Sequence, residues 1–406
     1  MRSNGLPIRE LKQCYQMKDK TKLINAGRAK KYTGAAVNPK LVRASTIVFD
    51  SVDQMNEAGK HCNNSVEYYG RRGTATTFAL AEAIAELENA EGCYVYPCGT
   101  AAITSSLLAF LSHGDHVLIV DSVYEPTREF ADGTLKRLGV EVGYYDPLIG
   151  ASIESLIQAN TKVIFLESPG SWTMEVQDVP AIAEVARRHD VVTIIDNTYA
   201  TPVNFRPLDV GVDISVHSAT KYLCGHSDVM LGVASANAAK WPTLQKFSYQ
   251  LGQCASVDDC YSALRGLRTL SLRMAQHHES ALYLANWLKE QEQVVAVRHP
   301  SFDDCPGSEF FHRDFLGGNG LFSVVLKSGS QEALDAMLDS FEHFKMGFSW
   351  GGFESLALGS MTMSNRRTAT QWQESGPILR LHIGLEDVED LKADLAQGLA
   401  VYAGQL

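Results

Sequence analysis

A single lysine, Lys221, follows a short apolar run and stands among hydroxyl side chains. The run covers residues 214–216, and Ser218 and Thr220 come just before the lysine. Partial burial at such a position lowers the pKa of an ammonium group, because burial disfavours the charged form. The amine then becomes available as a nucleophile or a base. Taken alone this pattern is weak, since most lysines beyond a strand lie on the solvated surface.

Polar side chains also stand at the ends of four predicted strands. They are Asp121 and Tyr124, Glu167 and Ser168, Asp196 and Asn197, and Ser218, Thr220 and Lys221. Ligands of open α/β sheets bind beyond the carboxyl ends of the strands, so we expect these side chains to line one site. Gly99 and Thr100 open a predicted helix, whose free N–H groups suit an anion. An ordinary N-cap explains those two residues equally well.

An anion site, a carboxylate, an aromatic ring and a lysine together describe a site for pyridoxal 5′-phosphate. The lysine would join the cofactor aldehyde, and Asp196 would keep the pyridine nitrogen protonated. Tyr124 would stack on the ring, although a partly buried core tyrosine is an equal alternative. No glycine-rich nucleotide motif competes, and Cys93 and Cys98 lack the second pair that a zinc site needs, so we expect no metal.

The segments that must position these residues alternate between strands and helices. The predicted strands are 117–120, 162–166, 191–195, 214–216 and 232–236, and the predicted helices lie near 75–90, 126–138, 152–159 and 178–189. This alternation predicts an α/β fold with a large, mostly parallel sheet covered on both faces. Strands near 321–326 and 379–383 with a helix near 331–340 predict a smaller C-terminal α+β domain. The predicted domains are an N-terminal arm (1–68), a cofactor-binding domain (69–265) and the C-terminal domain (266–406).

The first 60 residues lack sustained periodicity and read as an extended arm. Residues 42–49 are the one strand candidate there. An arm of this kind can bury itself only against another surface, such as a partner subunit.

Composition limits the classes of partner and compartment. The net charge of −11 and the lack of a long basic run argue against nucleic acid and anionic membranes as partners. No apolar run approaches the ~18 residues of a membrane span. The first twenty residues lack the apolar core of a signal peptide. Eight cysteines in 406 residues fit a reducing compartment, and we expect a cytoplasmic protein.

Seven segments resemble, in order, those of the pyridoxal-phosphate-dependent enzymes of cysteine and methionine metabolism, a fold type I family. They are Tyr69-Gly-Arg-Arg-Gly-Thr74, Pro97-Cys-Gly-Thr-Ala-Ala102, Asp196-Asn-Thr-Tyr199, Ser218-Ala-Thr-Lys-Tyr-Leu-Cys-Gly-His-Ser-Asp228, Arg265-Gly-Leu-Arg-Thr-Leu270, Ser349-Trp-Gly-Gly-Phe-Glu-Ser-Leu356 and Leu379-Arg-Leu-His-Ile-Gly-Leu-Glu-Asp387. The resemblance spans roughly residues 65 to 390. It implies the fold type I transferase-like fold and pyridoxal 5′-phosphate as cofactor.

The resemblance also implies roles for the matching residues. The implied catalytic residues are Lys221, which would hold the cofactor and move the Cα proton, Tyr124 and Tyr69. The implied cofactor ligands are Lys221, Asp196, Tyr124, Gly99, Thr100, Ser218 and Thr220, with Tyr69 and Arg71 reaching the phosphate of the neighbouring subunit. The implied substrate ligands are Arg380, Ser349, Trp350 and Tyr69. A site shared in this way requires a dimer, and the family is usually a homotetramer of such dimers.

Single residues are open to other interpretations. Sequence physics alone favours a solvated basic pair for Arg71 and Arg72. Arg380 lies inside an apolar strand, where a charge needs a partner, and the resemblance implies that this partner is the substrate α-carboxylate, held by a bidentate fork.

The resemblance is greatest to the β-eliminating members of the family. The segment 167–176 lacks the Thr-Asn-Pro sequence that γ-acting members usually contain there. Trp350 stands where those members tend to carry leucine, and His382 follows the β-eliminating pattern. The implied reaction is α,β-elimination of L-cystathionine to homocysteine, pyruvate and ammonia, with cysteine or related thioethers as further substrates. Two positions depart from the pattern: Gly70, where serine is common, and Trp172, where an aliphatic residue is usual.

Three alternatives stay open at this point. A γ-acting lyase, synthase or sulfhydrylase is one, since no residue forbids a second proton removal at Cβ. A regulator that binds the cofactor without turnover is another, although the matching catalytic positions are intact. A plain interaction protein is the third, and it would bind no cofactor at Lys221.

Overall fold

The structure is a computed structural model that describes residues 18–405. The strands in this range are β1 (Gly92–Tyr96), β2 (His116–Val120), β3 (Glu141–Tyr145), β4 (Thr161–Glu167), β5 (Val192–Asp196), β6 (Ile214–Ser218), β7 (Gly232–Ala236), β8 (Val294–Arg298), β9 (Leu321–Leu326), β10 (Leu356–Ser360) and β11 (Ile378–His382). The helices are α1 (Asp19–Asn25), α2 (Lys30–Thr33), α3 (Val52–Lys60), α4 (Ala75–Glu88), α5 (Gly99–Phe110), α6 (Glu125–Glu129), α7 (Val179–Arg188), α8 (Thr201–Asn204), α9 (Trp241–Gln250), α10 (Val257–Lys289), α11 (Ser308–Asp314), α12 (Gln331–Ser340) and α13 (Val388–Ala403).

The large sheet has the strand order β1-β7-β6-β5-β4-β2-β3. The strands β3, β2, β4, β5 and β6 run parallel, and β7 runs antiparallel to both of its neighbours. Successive residues of β7 point to opposite faces, as a pleated strand requires. Its Ala234 joins the core under α5 and α7, and its Val233 joins the core under α4 and α10. The prediction of a mostly parallel sheet covered on both faces is confirmed.

Parallel pairing brings the ends of the central strands to one edge of the sheet. Glu167 at the end of β4 is the register partner of Asp196 at the end of β5, and Asp196 is the partner of Val216 in β6. The turn that carries Lys221 follows β6 directly. Glu167, Asp196 and Lys221 therefore meet at this edge. Asp121, which follows β2, instead accepts hydrogen bonds from the backbone N–H groups of residues 368–370.

The smaller sheet is antiparallel with the order β10-β11-β9-β8. One face packs against α12, α13 and the C-terminal half of α10 through an apolar core that includes Phe322, Leu334 and Leu395. Leu379 and Leu381 of β11 point into this core. Arg380 lies between them and points to the other face, because side chains alternate along a strand.

Helix α10 connects the two sheets. Its first half, including Leu264 and Leu267, packs on the large sheet, and its second half, including Leu284 and Leu288, packs on the small sheet. The helix runs without a break through residue 265, where we predict the domain boundary. That division into domains stays a prediction.

The prediction of a strand at 42–49 is wrong. The segment is irregular, and its backbone groups bond to side chains and a loop: Val42 N–H to Thr76 Oγ1, and Ser45 C=O to Gly70 N–H. Its β-branched residues meet no neighbouring strand, and Val48 is 85% exposed. Residues 19–33 are less extended than predicted, since α1 packs against α4 and α10 of the same chain.

Two predicted helices take different forms. The helix predicted near 126–138 begins as α6 and continues as a π-helix over Phe130–Leu135, and the helix predicted at 152–159 is a 3₁₀ helix over Gly150–Leu156. Ala131, Leu135 and Ile153 are buried, although Leu138 is 47% exposed, so the periodicity indicated much of their burial and not their hydrogen-bond pattern. Within residues 18–405, no helix combines the length and the apolar character needed to cross a membrane.

Candidate active site

A cleft of about 290 Å³ opens at the carboxyl ends of the parallel strands and is closed on one side by the small sheet. The cleft is lined by ten residues that the sequence analysis assigned to the site: Gly99, Thr100, Tyr124, Asp196, Ser218, Thr220, Lys221, Ser349, Trp350 and Arg380. Glu167 lines it as its place at a strand end predicted, whereas Asp121, Ser168 and Asn197 do not. Residues that the sequence analysis left without a role also line it, among them Trp172, Thr198, Met230 and Phe348. The volume is typical of a small-molecule site.

Lys221 points into the cleft from the turn after β6. Its Nζ donates a hydrogen bond to Ser349 Oγ at 2.7 Å and lies 5.5 Å from the centre of the Trp350 ring. Burial, and next the positive charge of Arg380, lower the pKa of Lys221 to about 8. The unprotonated fraction of this amine near neutral pH is therefore far larger than that of an ordinary lysine, which favours a base or nucleophile.

The backbone of the segment 349–351 packs directly against Lys221. Gly351 has a φ of +87°, and a Cβ at this position would lie 3.1 Å from the Lys221 Cα. Glycine is therefore required both by the conformation and by the space. This contact brings Ser349 within hydrogen-bond distance of the lysine.

Asp196 ends β5 and presents one free carboxylate oxygen. Its Oδ1 accepts hydrogen bonds from the backbone N–H of Thr198 at 2.9 Å and from the Thr198 hydroxyl at 2.5 Å. Burial raises the pKa of Asp196, against the opposing effect of Thr198 and of the charge on Lys221. Within residues 18–405, Oδ2 has no hydrogen-bond partner, so a cationic N–H group facing it would stabilise the ionised form.

The N-terminus of α5 forms one end of the cleft. Gly99 packs so closely on Ser218 that a Cβ on Gly99 would lie 2.6 Å from the Ser218 Cβ. In the described part of the chain the backbone N–H groups of Gly99 and Thr100 are not taken by other groups, which leaves them for an anion. The Thr220 hydroxyl differs, because it already bonds to the C=O and N–H of Leu231.

Tyr124 stands at the opposite wall, where its backbone is fixed by Glu167. Glu167 Oε2 accepts a hydrogen bond from the Tyr124 N–H at 2.7 Å. Burial, and next the charge of Asp196, raise the pKa of Glu167 well above its usual range. The signal for this residue was its place at a strand end beside Asp196, but only the structure shows which group it holds. The Tyr124 side chain remains 42% exposed in the single chain, so one surface of its ring is accessible.

Arg380 enters from β11 and has no carboxylate partner among residues 18–405. Its Nη2 approaches the Ser349 C=O at 3.5 Å, and its Cζ lies 5.0 Å from the centre of the Trp172 ring. Burial lowers the pKa of Arg380 to about 10, with a contribution from Arg366, so the group is charged at neutral pH. An unpaired, partly buried guanidinium is suited to a carboxylate ligand.

Tyr69 and Arg71 do not reach the cleft of their own chain. Tyr69 is 47% exposed, and Arg71 Nη1 donates to the C=O of Tyr249 at 2.9 Å beside a second cavity of about 320 Å³. Their implied role in a neighbouring subunit stays a prediction.

The residues of the cleft fit pyridoxal 5′-phosphate. The free N–H groups at α5 suit the phosphate, the free Asp196 oxygen suits a protonated pyridine nitrogen, and the Lys221 amine suits the aldehyde. The polar groups of the cleft that are free to bind a ligand thus match the functional groups of pyridoxal 5′-phosphate.

Comparisons with known proteins agree with this geometry. The model of the Cys/Met metabolism PLP-dependent enzyme family matches residues 20–400. The chain is 50% identical to cystathionine beta-lyase MetC of Escherichia coli over 385 residues, covering 94% of this chain and 98% of that protein. It is 48% identical to cystathionine beta-lyase of Salmonella typhimurium, with the same coverage. The crystal structure of cystathionine gamma synthase from Xanthomonas oryzae matches with a TM-score of 0.85 and 30% identity, covering 97% of this chain and 100% of that one.

Proposed function

The chain belongs to the Cys/Met metabolism PLP-dependent enzyme family, and we propose that it is a carbon–sulfur lyase that cleaves L-cystathionine by α,β-elimination. The products are homocysteine, pyruvate and ammonia. The β-eliminating pattern at 167–176, Trp350 and His382 and the identity to two cystathionine beta-lyases support this reaction over its γ-acting relatives. The activity is a step of methionine biosynthesis by transsulfuration.

The convergence of Lys221, Asp196 and Arg380 in one cleft carries the proposal. These three side chains supply a base of lowered pKa, a carboxylate with a free oxygen and an unpaired guanidinium. A binding protein without turnover does not need a base whose pKa is shifted toward neutrality. The arrangement therefore favours an enzyme over a regulator.

Bound pyridoxal phosphate would supply an aldehyde that joins the substrate amine and a ring that withdraws electrons from Cα. Gly99, Thr100 and Ser218 would hold its phosphate, and Thr220 would line the phosphate end of the cleft. Tyr124 would stack on its ring. Asp196 would hold the proton on its pyridine nitrogen.

The remaining chemistry belongs to residues of the chain. Arg380 would bind the substrate α-carboxylate, and Ser349 and Trp350 would line the pocket beside it. The Lys221 amine would take the proton from Cα, which is the step that its lowered pKa favours. The electron pair released at Cα expels sulfur from Cβ, homocysteine leaves after its sulfur gains a proton, and the three-carbon remainder hydrolyses to pyruvate and ammonia.

We further propose that the enzyme is a homotetramer built of active dimers, in which Tyr69 and Arg71 complete the neighbouring site. Support comes from their position outside their own cleft and from the exposed apolar side chains at its rim, Met230 at 62% and Phe348 at 95%. A cytoplasmic location is part of the same proposal. It is supported by the cysteines within residues 18–405, all of which are free thiols.

The test is incubation of the purified holoprotein with L-cystathionine and identification of the keto acid. Pyruvate with equimolar homocysteine supports β-elimination. Release of 2-oxobutyrate and cysteine would assign the enzyme to the γ-acting relatives, and a cofactor spectrum without any keto acid would indicate a regulator. The Lys221→Ala variant is the control for turnover at this site.

A further inference from the structure

Trp172 lies between two arginines at the wall of the cleft. Its ring centre is 5.0 Å from the Arg380 Cζ and 5.5 Å from the Arg366 Cζ. The residue lines the cleft and is only 7% exposed. Within the resemblance described above, this position usually holds an aliphatic residue, which cannot make a cation–π contact.

The backbone at Trp172 is held in an unfavourable conformation. Trp172 has a φ of +65° and Met174 a φ of +62°, which bulky residues rarely adopt without support from their surroundings. Backbone hydrogen bonds provide that support: Ser171 N–H to the Ser122 C=O at 2.8 Å, and Gly170 N–H to the Glu175 C=O at 2.9 Å.

An ion pair fixes the same loop from the other side. Arg367 Nη2 lies 2.6 Å from Glu175 Oε1, and both side chains are largely buried. The loop that carries Trp172 is therefore tied to the loop that carries Arg366, and the ring has a fixed place against both guanidinium groups.

The two arginines differ in how their charges are balanced. Arg366 Nη2 pairs with Glu125 Oε2 at 2.8 Å. Arg380 has no carboxylate partner within residues 18–405, and its one hydrogen bond, to the Ser349 C=O, is long at 3.5 Å. A stacked ring stabilises a guanidinium through its face and leaves the N–H donors at its edge free. A carboxylate partner would instead occupy those donors and compete with a ligand.

We propose that Trp172 is the positioning residue for Arg380, and that it makes the site selective for amines that carry an α-carboxylate. The ring holds the guanidinium plane without neutralising it or using its donors. This inference rests on the role of Arg380 in the proposed function. It does not depend on which bond of the substrate is cleaved.

The first experiment compares Trp172→Leu and Trp172→Phe with the wild-type holoprotein. For L-cystathionine we expect Trp172→Leu to raise KM about 3- to 30-fold, the range that a desolvated cation–π contact supports, with kcat changed less than about twofold. Trp172→Phe keeps a ring and should recover part of the loss. The matched control is Trp287→Leu, a partly buried tryptophan that packs on the small-sheet core away from the cleft, which should leave KM unchanged.

A second readout does not require turnover. Glycine and methylamine differ only by the carboxylate, and their dissociation constants can be read from the absorbance of the bound cofactor. Trp172→Leu should reduce the preference for glycine over methylamine by the same 3- to 30-fold. In an Arg380→Met background the substitution should change this ratio by less than about twofold, because Trp172 acts through the arginine.

The outcomes separate this inference from the proposed function. If the preference for glycine falls in Trp172→Leu but the wild type releases no pyruvate, the positioning role stands and the lyase proposal fails. If the preference is unchanged in Trp172→Leu, or the wild type shows none, the positioning role is overturned. Equal losses in the Arg380→Met background would also overturn it, since they would show a general packing effect.

Discussion

The Lys221 amine donates a hydrogen bond of 2.7 Å to the hydroxyl of Ser349, a residue 128 positions further along the chain. Lys221 follows the large sheet, whereas Ser349 precedes β10 of the small sheet. The direction of the amine therefore depends on how the two sheets are docked. Neither sheet alone fixes the base.

Replacing Ser349 by alanine should lower kcat by about 2- to 13-fold, the rate equivalent of the roughly 0.5–1.5 kcal/mol that a hydrogen bond to the unprotonated amine contributes. The amine keeps its lowered pKa but loses the partner that orients it. Pyruvate release from L-cystathionine under saturating substrate measures the effect. Within residues 18–405 the Ser360 hydroxyl bonds only to the exposed Thr362 C=O, so Ser360→Ala is the control that should leave kcat unchanged. A Ser349→Ala enzyme with full kcat would contradict the orienting role.

The low pKa of Lys221 gives a prediction that needs no cofactor. Because burial and the charge of Arg380 favour the neutral amine, Lys221 of the apoprotein should lose its proton around pH 8, well below an ordinary lysine. Trace labelling with acetic anhydride between pH 6 and 11, followed by mass spectrometry of the peptides, gives the midpoint for each lysine.

The Arg380→Met variant tests the cause of that shift. Removing the positive charge should move the Lys221 midpoint upward, toward the ordinary lysine value. A wild-type Lys221 midpoint at the ordinary lysine value would show that the cleft does not perturb the amine.

Asp196 should lower the free energy of unfolding of the apoprotein, although it is the residue that would bind the pyridine nitrogen of the cofactor. Burial raises its folded-state pKa, so the folded state resists its ionisation more than the unfolded chain does. The resulting penalty is absent below the ordinary aspartate pKa of ~4, where the group is protonated in both states. The penalty grows as the pH rises and persists at neutral pH.

Asp196→Asn keeps an oxygen that can accept both hydrogen bonds from Thr198 and removes the charge. We therefore expect the variant apoprotein to melt at a higher temperature than the wild type at pH 7, with the difference shrinking toward pH 4. Calorimetry of both apoproteins measures this. Activity should be lost, because an amide does not hold a proton on the pyridine nitrogen. A variant apoprotein that is less stable at pH 7 would contradict the argument.

The sequence predicted most of the strands that are continuously buried. The strands β2, β4, β5, β6 and β7 are buried along nearly their whole length, so they appear as apolar runs. Both edge strands were missed: β3 is partly exposed, whereas β1 is buried except at its first residue. The segment 42–49 is rich in β-branched residues yet forms no strand, because pairing depends on a neighbour that sequence alone does not supply.

The functional site was likewise predictable only in part. Lys221, Asp196 and Tyr124 could be placed together because each follows a parallel strand, and such strands end at one edge. The relation of Trp172 to Arg380 could not be foreseen in this way. It depends on a positive φ in one loop and on the approach of a strand more than 200 residues later. The strand itself was predicted, but neither the positive φ nor the approach leaves a local pattern.

The implied sharing of the site between subunits can be tested by mixing two defective variants. Lys221→Ala destroys the cleft of its own chain, whereas Arg71→Ala should weaken the cleft of the neighbouring chain, since Arg71 does not reach its own. In a heterodimer the two defects fall on the same site and leave the other intact. Unfolding the two proteins together and refolding them should therefore restore about a quarter of the sites.

The matched control mixes Lys221→Ala with Asp196→Asn. Both residues line the cleft of their own chain, so every site in the heterodimer carries one defect and no activity should return. Pyruvate release before and after refolding measures both mixtures. If the mixture of Lys221→Ala and Arg71→Ala shows only the summed activity of its components, Arg71 does not serve the neighbouring subunit. The phosphate would then be held by Gly99, Thr100 and Ser218 of a single chain.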